Sequence, residues 1–193
     1  MKGPVHMNSL QITALLLILG TVLTATGFGI FPSRIYTSND RQEKSNLLAL
    51  KPRRWILSQS VVILGGITAM AGSVCLFLAF KESQGALLFG IGMAGFLLGH
   101  VFWIWQLILR IVHPEMFAND TLPGWLFRSY SILVLLALAS YGVGFWLQCD
   151  FRVLGFGIFL TSLLVLGLFF KFKGMPPIVY YAITLVIGIA LLF

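Results

Sequence analysis

The chain has 193 residues, of which 59% are hydrophobic and only 10% charged. That balance excludes a soluble domain, whose surface needs more polar cover, and predicts an all-α integral membrane protein: about six spans of roughly 20 residues bundled in one membrane domain over residues 1–193. The formal net charge of +7 would suggest nucleic acid in a soluble protein, but here basic residues flank apolar runs and meet anionic lipid head groups, so no nucleic-acid partner is expected.

The first apolar run covers residues 10–31 and reads as a retained anchor. It is longer than a signal-peptide core, its basic flank is Lys2 alone, and no small-x-small cleavage pattern follows before Pro32. Thr21, Thr24 and Thr26 can bond back to helix carbonyls, which is a packing role. Residues 33–54 form the one long polar connection, with Arg34, Arg41, Lys44, Lys51, Arg53 and Arg54. Within it Asp40 and Glu43 have capping-box spacing, and Leu47, Leu48 and Leu50 precede Lys51-Pro52, which predicts a short interfacial helix attached to anionic lipid.

The second span, 55–80, carries Gly65, Gly66, Ala69 and Gly72 at a spacing for close helix crossing, with the third span as the expected neighbour. The third span, 85–112, holds most of the distinctive polar residues. Gly92, Gly95, Gly99, Trp103, Gln106, Arg110 and His113 recur at steps of three or four, so they share one seam, and His100 flanks it. His113-Pro114 ends that helix. The fourth, fifth and sixth spans are expected over 125–148, 153–170 and 178–193, the Pro176-Pro177 pair starting the last. At about 1.5 Å per residue the sixth reaches only about 24 Å, which sets its end near the far interface.

Lys and Arg residues set the orientation. The first, third and fifth connections hold ten of them, against Lys2, Lys81 and Arg152 on the other side. The odd-numbered loops, with the basic loop 33–54, are therefore expected in the cytoplasm and both termini outside, in a bacterial inner membrane or an equivalent energy-transducing membrane. The Asn119-Asp120-Thr121 sequon then faces the cytoplasm, where it is not glycosylated.

Gly90-Ile91-Gly92-Met93-Ala94-Gly95 satisfies a dinucleotide fingerprint literally, but no strand precedes it and no acidic residue follows at the required distance, so its glycines, like Gly65, Ala69, Gly72 and Gly99, read as packing residues. Three readings of His100 stay open: a hydrogen bond to a Ser, Thr, Tyr or carbonyl on a neighbouring helix, axial ligation of haem or a pigment magnesium, and proton transfer. The last lacks an Asp or Glu at membrane depth, and His6 and His113 lie near interfaces, too far from its depth for a bis-histidine haem. Trp103, Gln106, Arg110 and His113, with Trp105, suit either a head-group pocket for a lipid, quinone or isoprenoid, or interfacial anchoring. Cys75 and Cys149 both fall towards the outer side, where a disulfide is conceivable and apolar packing the simpler role for Cys75. Metal, hydrolase and phosphate-loop signatures are absent.

These observations favour a non-catalytic membrane subunit, packed against other integral membrane subunits and membrane lipids, with a lipid, quinone, haem or chlorophyll-type pigment at its helix faces. A small transporter of an uncharged or lipophilic solute is the first alternative, and a lipid-modifying enzyme using His100 or His113 the second.

Overall fold

The computed structural model describes residues 4–172 and 175–193, and side chains from Ser9 onward. Lys2 and Lys173 lie outside the described residues, as does the side chain of His6. Among the described residues the chain is helical throughout, without a strand: α1 (Pro4–Ile30), α2 (Arg34–Thr37), α3 (Arg41–Leu50), α4 (Pro52–Phe80), α5 (Ala86–Val112), α6 (Pro114–Ala118), α7 (Gly124–Trp146), a 3-10 turn (Cys149–Phe151), α8 (Arg152–Phe172) and α9 (Ile178–Ala190). Five of these, α1, α4, α5, α7 and α8, are long and apolar enough to cross a membrane. The expected sixth span is a 13-residue helix, α9, shorter than the 178–193 run because Leu191 caps it after Ala190.

The long helices pack as a closed ring in the order α1, α4, α5, α7, α8, α9, with α9 returning to α1 and also touching α7. Close backbone approach makes the tightest crossings. A Cβ on Gly20 would stand 2.8 Å from the Ala69 amide nitrogen, and one on Gly65 would stand 2.7 Å from that of Thr24. The Gly65, Ala69 and Gly72 seam therefore closes chiefly on α1, not on the third span; α4 meets α5 through its next face, where Gly66 lies beside His100 and Tyr181. The α5 glycines face α7: Gly92 and Gly95 lie against Ala137, and Gly99 against Val134. Gly142 of α7 and Gly155 of α8 form a second backbone-to-backbone crossing.

The ends of the helices follow local chemistry. Pro52 begins α4, where its missing N–H costs no helix bond. The predicted interfacial helix is α3, but its cap is only half a capping box. The Asp40 carboxylate accepts from the Gln42 amide at 2.9 Å, whereas Glu43, in place of returning to the Asp40 amide, accepts from the Ser38 hydroxyl at 2.6 Å, and that hydroxyl takes the Asp40 N–H. Ser38 thus relays the second half of the motif. The loop after α6 turns at Asp120, whose φ of 57° lies in the left-handed region that Asp tolerates at a helix end. Its carboxylate is 2.8 Å from the Nζ of the buried Lys44, which ties α3 to the α6 loop.

Gly65→Leu is expected to force α1 from α4 and to lower stability in detergent by at least about 1–3 kcal/mol. Gly157→Leu, whose Cβ enters open space, should leave it unchanged. Equilibrium unfolding in mixed micelles checks the pair, and equal stability of both variants would count against the crossing.

Candidate functional site

The short elements between α1 and α4 and after α5 build an aromatic cap. Phe31, Ile35, Leu48, Trp55 and Ala118 form a buried cluster of their own, separate from the main core, with Tyr36, Leu47 and Phe117 packed onto it. Trp55 opens the second apolar run. Its ring stands 5.0 Å from that of Phe117 and 5.3 Å from that of Phe31, and its Nε1–H donates to the Arg110 carbonyl at 2.8 Å. That bond occupies one of the carbonyls left free at the C-terminal end of α5 and joins the start of α4 to it.

Beneath the cap is a cavity of about 800 Å³. Phe28 and Gly29 of α1, Tyr36 of α2, Trp103 and Arg110 of α5, and Phe127 of α7 line it, and residues 175–178 close another side. Its volume falls within the roughly 300–1,000 Å³ of small-molecule sites. Tyr36 is oriented by Gln59, whose Nε2 donates to the phenol oxygen at 3.1 Å from a fully buried position on α4.

Arg110 is the cavity's one charged residue among the described lining, and it is only 9% exposed. Its guanidinium carbon lies 5.1 Å from the centroid of Trp103 and 5.0 Å from that of Phe117. Among the described residues no carboxylate pairs with it, and its Nε has no hydrogen-bond partner. Cation–π contact contributes about 2 kcal/mol when desolvated, while removing an ion from water costs several kcal/mol. The rings alone leave this cation under-compensated. The Trp103 Nε1–H, also buried, has no partner either.

Of the four residues expected in a head-group pocket, Trp103 and Arg110 line the cavity. Gln106 is buried on the same helix face but outside the lining, its Oε1 unpartnered. His113 is turned away: its side chain is about half exposed, and its Nδ1 sits 3.2 Å from Glu115. The physical reason is that α5 stops at Val112, so the seam's helical step no longer governs the direction of the next side chain. Trp105 faces outward and meets Trp125 edge-on at 5.9 Å, an interfacial pair.

His100 lies deeper, in the middle of the ring. Its Nδ1 is 2.9 Å from the Phe96 carbonyl, so that nitrogen carries the proton, and Nε2 is left to accept from the Tyr181 hydroxyl of α9 at 3.1 Å. Both ring nitrogens are thereby engaged, which is the hydrogen-bonded reading of His100. Ligation of haem or pigment magnesium would have to displace the Tyr181 bond. Tyr130 stacks on Trp103 at 5.0 Å and meets His100 edge-on at 5.6 Å, so aromatic contact runs without a break from the cavity floor to the histidine. Farther from the cavity the Ser73 and Tyr141 hydroxyls bond each other. Cys75 and Cys149 are both free.

Periodicity missed Phe28, Tyr36 and Phe127. Phe28 sits in an apolar helix like any other Phe, and Tyr36 lies in a polar connection where no hydrophobic period applies. The signals in this connection, its basic residues and the Asp40–Leu50 pattern, pointed to an interfacial helix and not to a pocket wall. Comparison with family models, curated proteins and solved structures finds no match.

Tyr181→Phe is expected to lower stability by about 0.6 kcal/mol, and by no more than roughly 1.7, the range for interhelical hydrogen bonds in membranes. In a double-mutant cycle with His100→Leu that loss should be shared; additive losses would mean that the two side chains do not interact.

Proposed function

We propose that this chain is a non-catalytic multi-pass membrane subunit that holds one lipophilic molecule in the cavity at its basic end. The observation that carries the reading is the cavity itself: it is walled mainly by aromatic and aliphatic side chains, has a single cation at one wall, and lies where the long helices give way to interfacial ones. A lipid or quinone chain suits such walls, and a polar head suits the end that holds Arg110, Tyr36 and Ser33. The outward apolar rows support packing against other membrane subunits and lipids. On α8 they include Val153, Leu164 and Phe170, exposed by 87%, 66% and 62%.

The proposal includes six membrane-crossing segments. Antiparallel pairing of α9 with α1 supports the sixth, since Gly188 packs against Ala14 and Ile18 while Thr21 meets the Tyr181 carbonyl at 3.3 Å. Although α9 spans only about 20 Å at 1.5 Å per residue, its far end reaches the level of the early turns of α1. The excess of Lys and Arg on the loops around the cavity puts those loops in the cytoplasm and both termini outside, in a bacterial inner membrane or an equivalent energy-transducing one.

The protein purified in mild detergent from its own membrane should carry about one lipophilic molecule per chain. Gly29→Leu should lose it, because Gly29 lines the cavity and a Cβ there has open space, so the variant fills the site without straining the backbone. Native mass spectrometry of both reads the result, and an unmodified chain that carries nothing would sink the reading. For orientation, a membrane-impermeant maleimide should label the exposed Cys149 in intact cells. Labelling only after permeabilisation would reverse the topology.

A further inference from the structure

We infer that the occupant of the cavity is a single-chain lipid with one negative charge, whose head group is the counter-ion of Arg110. This rests on the cavity being a lipophile site and goes on to name the ligand's charge, its chain number and the residue that reads it.

The charge follows from what surrounds the guanidinium. Arg110 is buried within the helix ring, has no carboxylate partner among the described residues and leaves Nε unbonded, with aromatic faces at 5.1 and 5.0 Å as its chief neighbours. Charged side chains at membrane depth pair with an opposite charge or face a cavity. Arg110 does the second, and an anion in that cavity would supply the first. The guanidinium fork matches the two oxygens of a carboxylate or a phosphate ester, which a neutral quinone carbonyl does not offer.

The number of charges follows from the lining. Among the described lining residues Arg110 is the one cation, and no acidic side chain is present. One negative charge is therefore neutralised, whereas a second would be left in apolar surroundings without a partner. Around the same mouth the hydroxyls of Ser33 and Tyr36 can donate hydrogen bonds to the head group's remaining lone pairs, Tyr36 while it accepts from Gln59. The tail follows from the rest of the wall, where Phe28, Phe127, Met175 and Ile178 leave only apolar surface to contact. A volume of about 800 Å³ has room for one acyl or prenyl chain.

The test uses the full chain, purified in detergent and stripped of lipid, with three probes: palmitate, its uncharged methyl ester, and acetate as the same head group without a tail. Palmitate is expected to bind at one per chain, at least tenfold more tightly than methyl palmitate, and excess acetate should not displace it. Arg110→Gln should abolish the preference for palmitate over its methyl ester, and Arg110→Lys, which keeps the charge but loses the fork, should fall between. If Arg110→Gln does not yield a folded particle, the preference of the unmodified chain and its reduction in Arg110→Lys decide. Equal binding of palmitate and its ester, an unchanged preference in the Arg110 variants, or displacement by acetate as by a soluble small anion would each overturn the inference. Failure of both palmitate and the ester to bind the unmodified chain would instead overturn the lipophile site as a whole.

Discussion

Between helices surrounded by hydrocarbon there is no water to exclude, so burial of apolar side chains supplies little net attraction and helix association depends on packing and on satisfied polar groups. In this chain that requirement is met first by bringing backbones together. Gly20, Gly65 and Ala69 remove the side-chain layer between α1 and α4, and Gly142 with Gly155 does the same between α7 and α8. With those two pairs locked, α5 is the helix that joins them: it packs on α4 through the Gly66 and His100 contact and on α7 through Gly92 and Gly99. The bond from His100 to Tyr181 then closes the ring across its centre onto α9.

The polar residues follow a gradient along α5 that mirrors this construction. Near its N-terminal end, glycines and the stacked Phe80 and Phe89 rings, with Phe145 edge-on to both, make an apolar contact zone. In the middle, hydroxyl and imidazole groups satisfy one another. On α5 itself the unpartnered polar atoms, Trp103 Nε1, Gln106 Oε1 and Arg110 Nε, fall towards the end where the helix ring opens into a cavity. A buried cation without its counter-charge costs stability, and such costs concentrate at functional positions. The aromatic cap keeps water from the guanidinium on one side, and the α1, α2 and α7 side chains bound it on the other.

Much of the architecture could be read from residue order because hydrocarbon imposes long unbroken apolar runs, and long runs are the most visible pattern a chain can carry. The seam of Gly92, Gly99, Trp103, Gln106 and Arg110 was equally legible, since a helix repeats its faces and all five are buried. The seam's end was not: His113 follows the same arithmetic and faces solvent, because periodicity says nothing about the point at which a helix stops. Helix neighbours were harder still. The small residues of α4 mark a close crossing but not the partner, and α1 won over α5 through complementary Gly20, a residue that in isolation looks like any other glycine in an apolar run. Tyr36 and Phe28 became pocket residues only through folding of the 33–54 connection back over the helix ends.

The hydrogen bond from Trp55 to the Arg110 carbonyl couples two scales. Indole rings near a membrane surface settle at the head-group level, and helices tilt when bilayer thickness changes. Trp55 is buried within the cap, so its N–H answers to the last turn of α5 and not to head groups; tilting that shifted the beginning of α4 along α5 would break the bond and leave a buried donor unpaired. The bonded carbonyl and the guanidinium belong to one residue, so a shift at the start of α4 would also move a wall of the cavity.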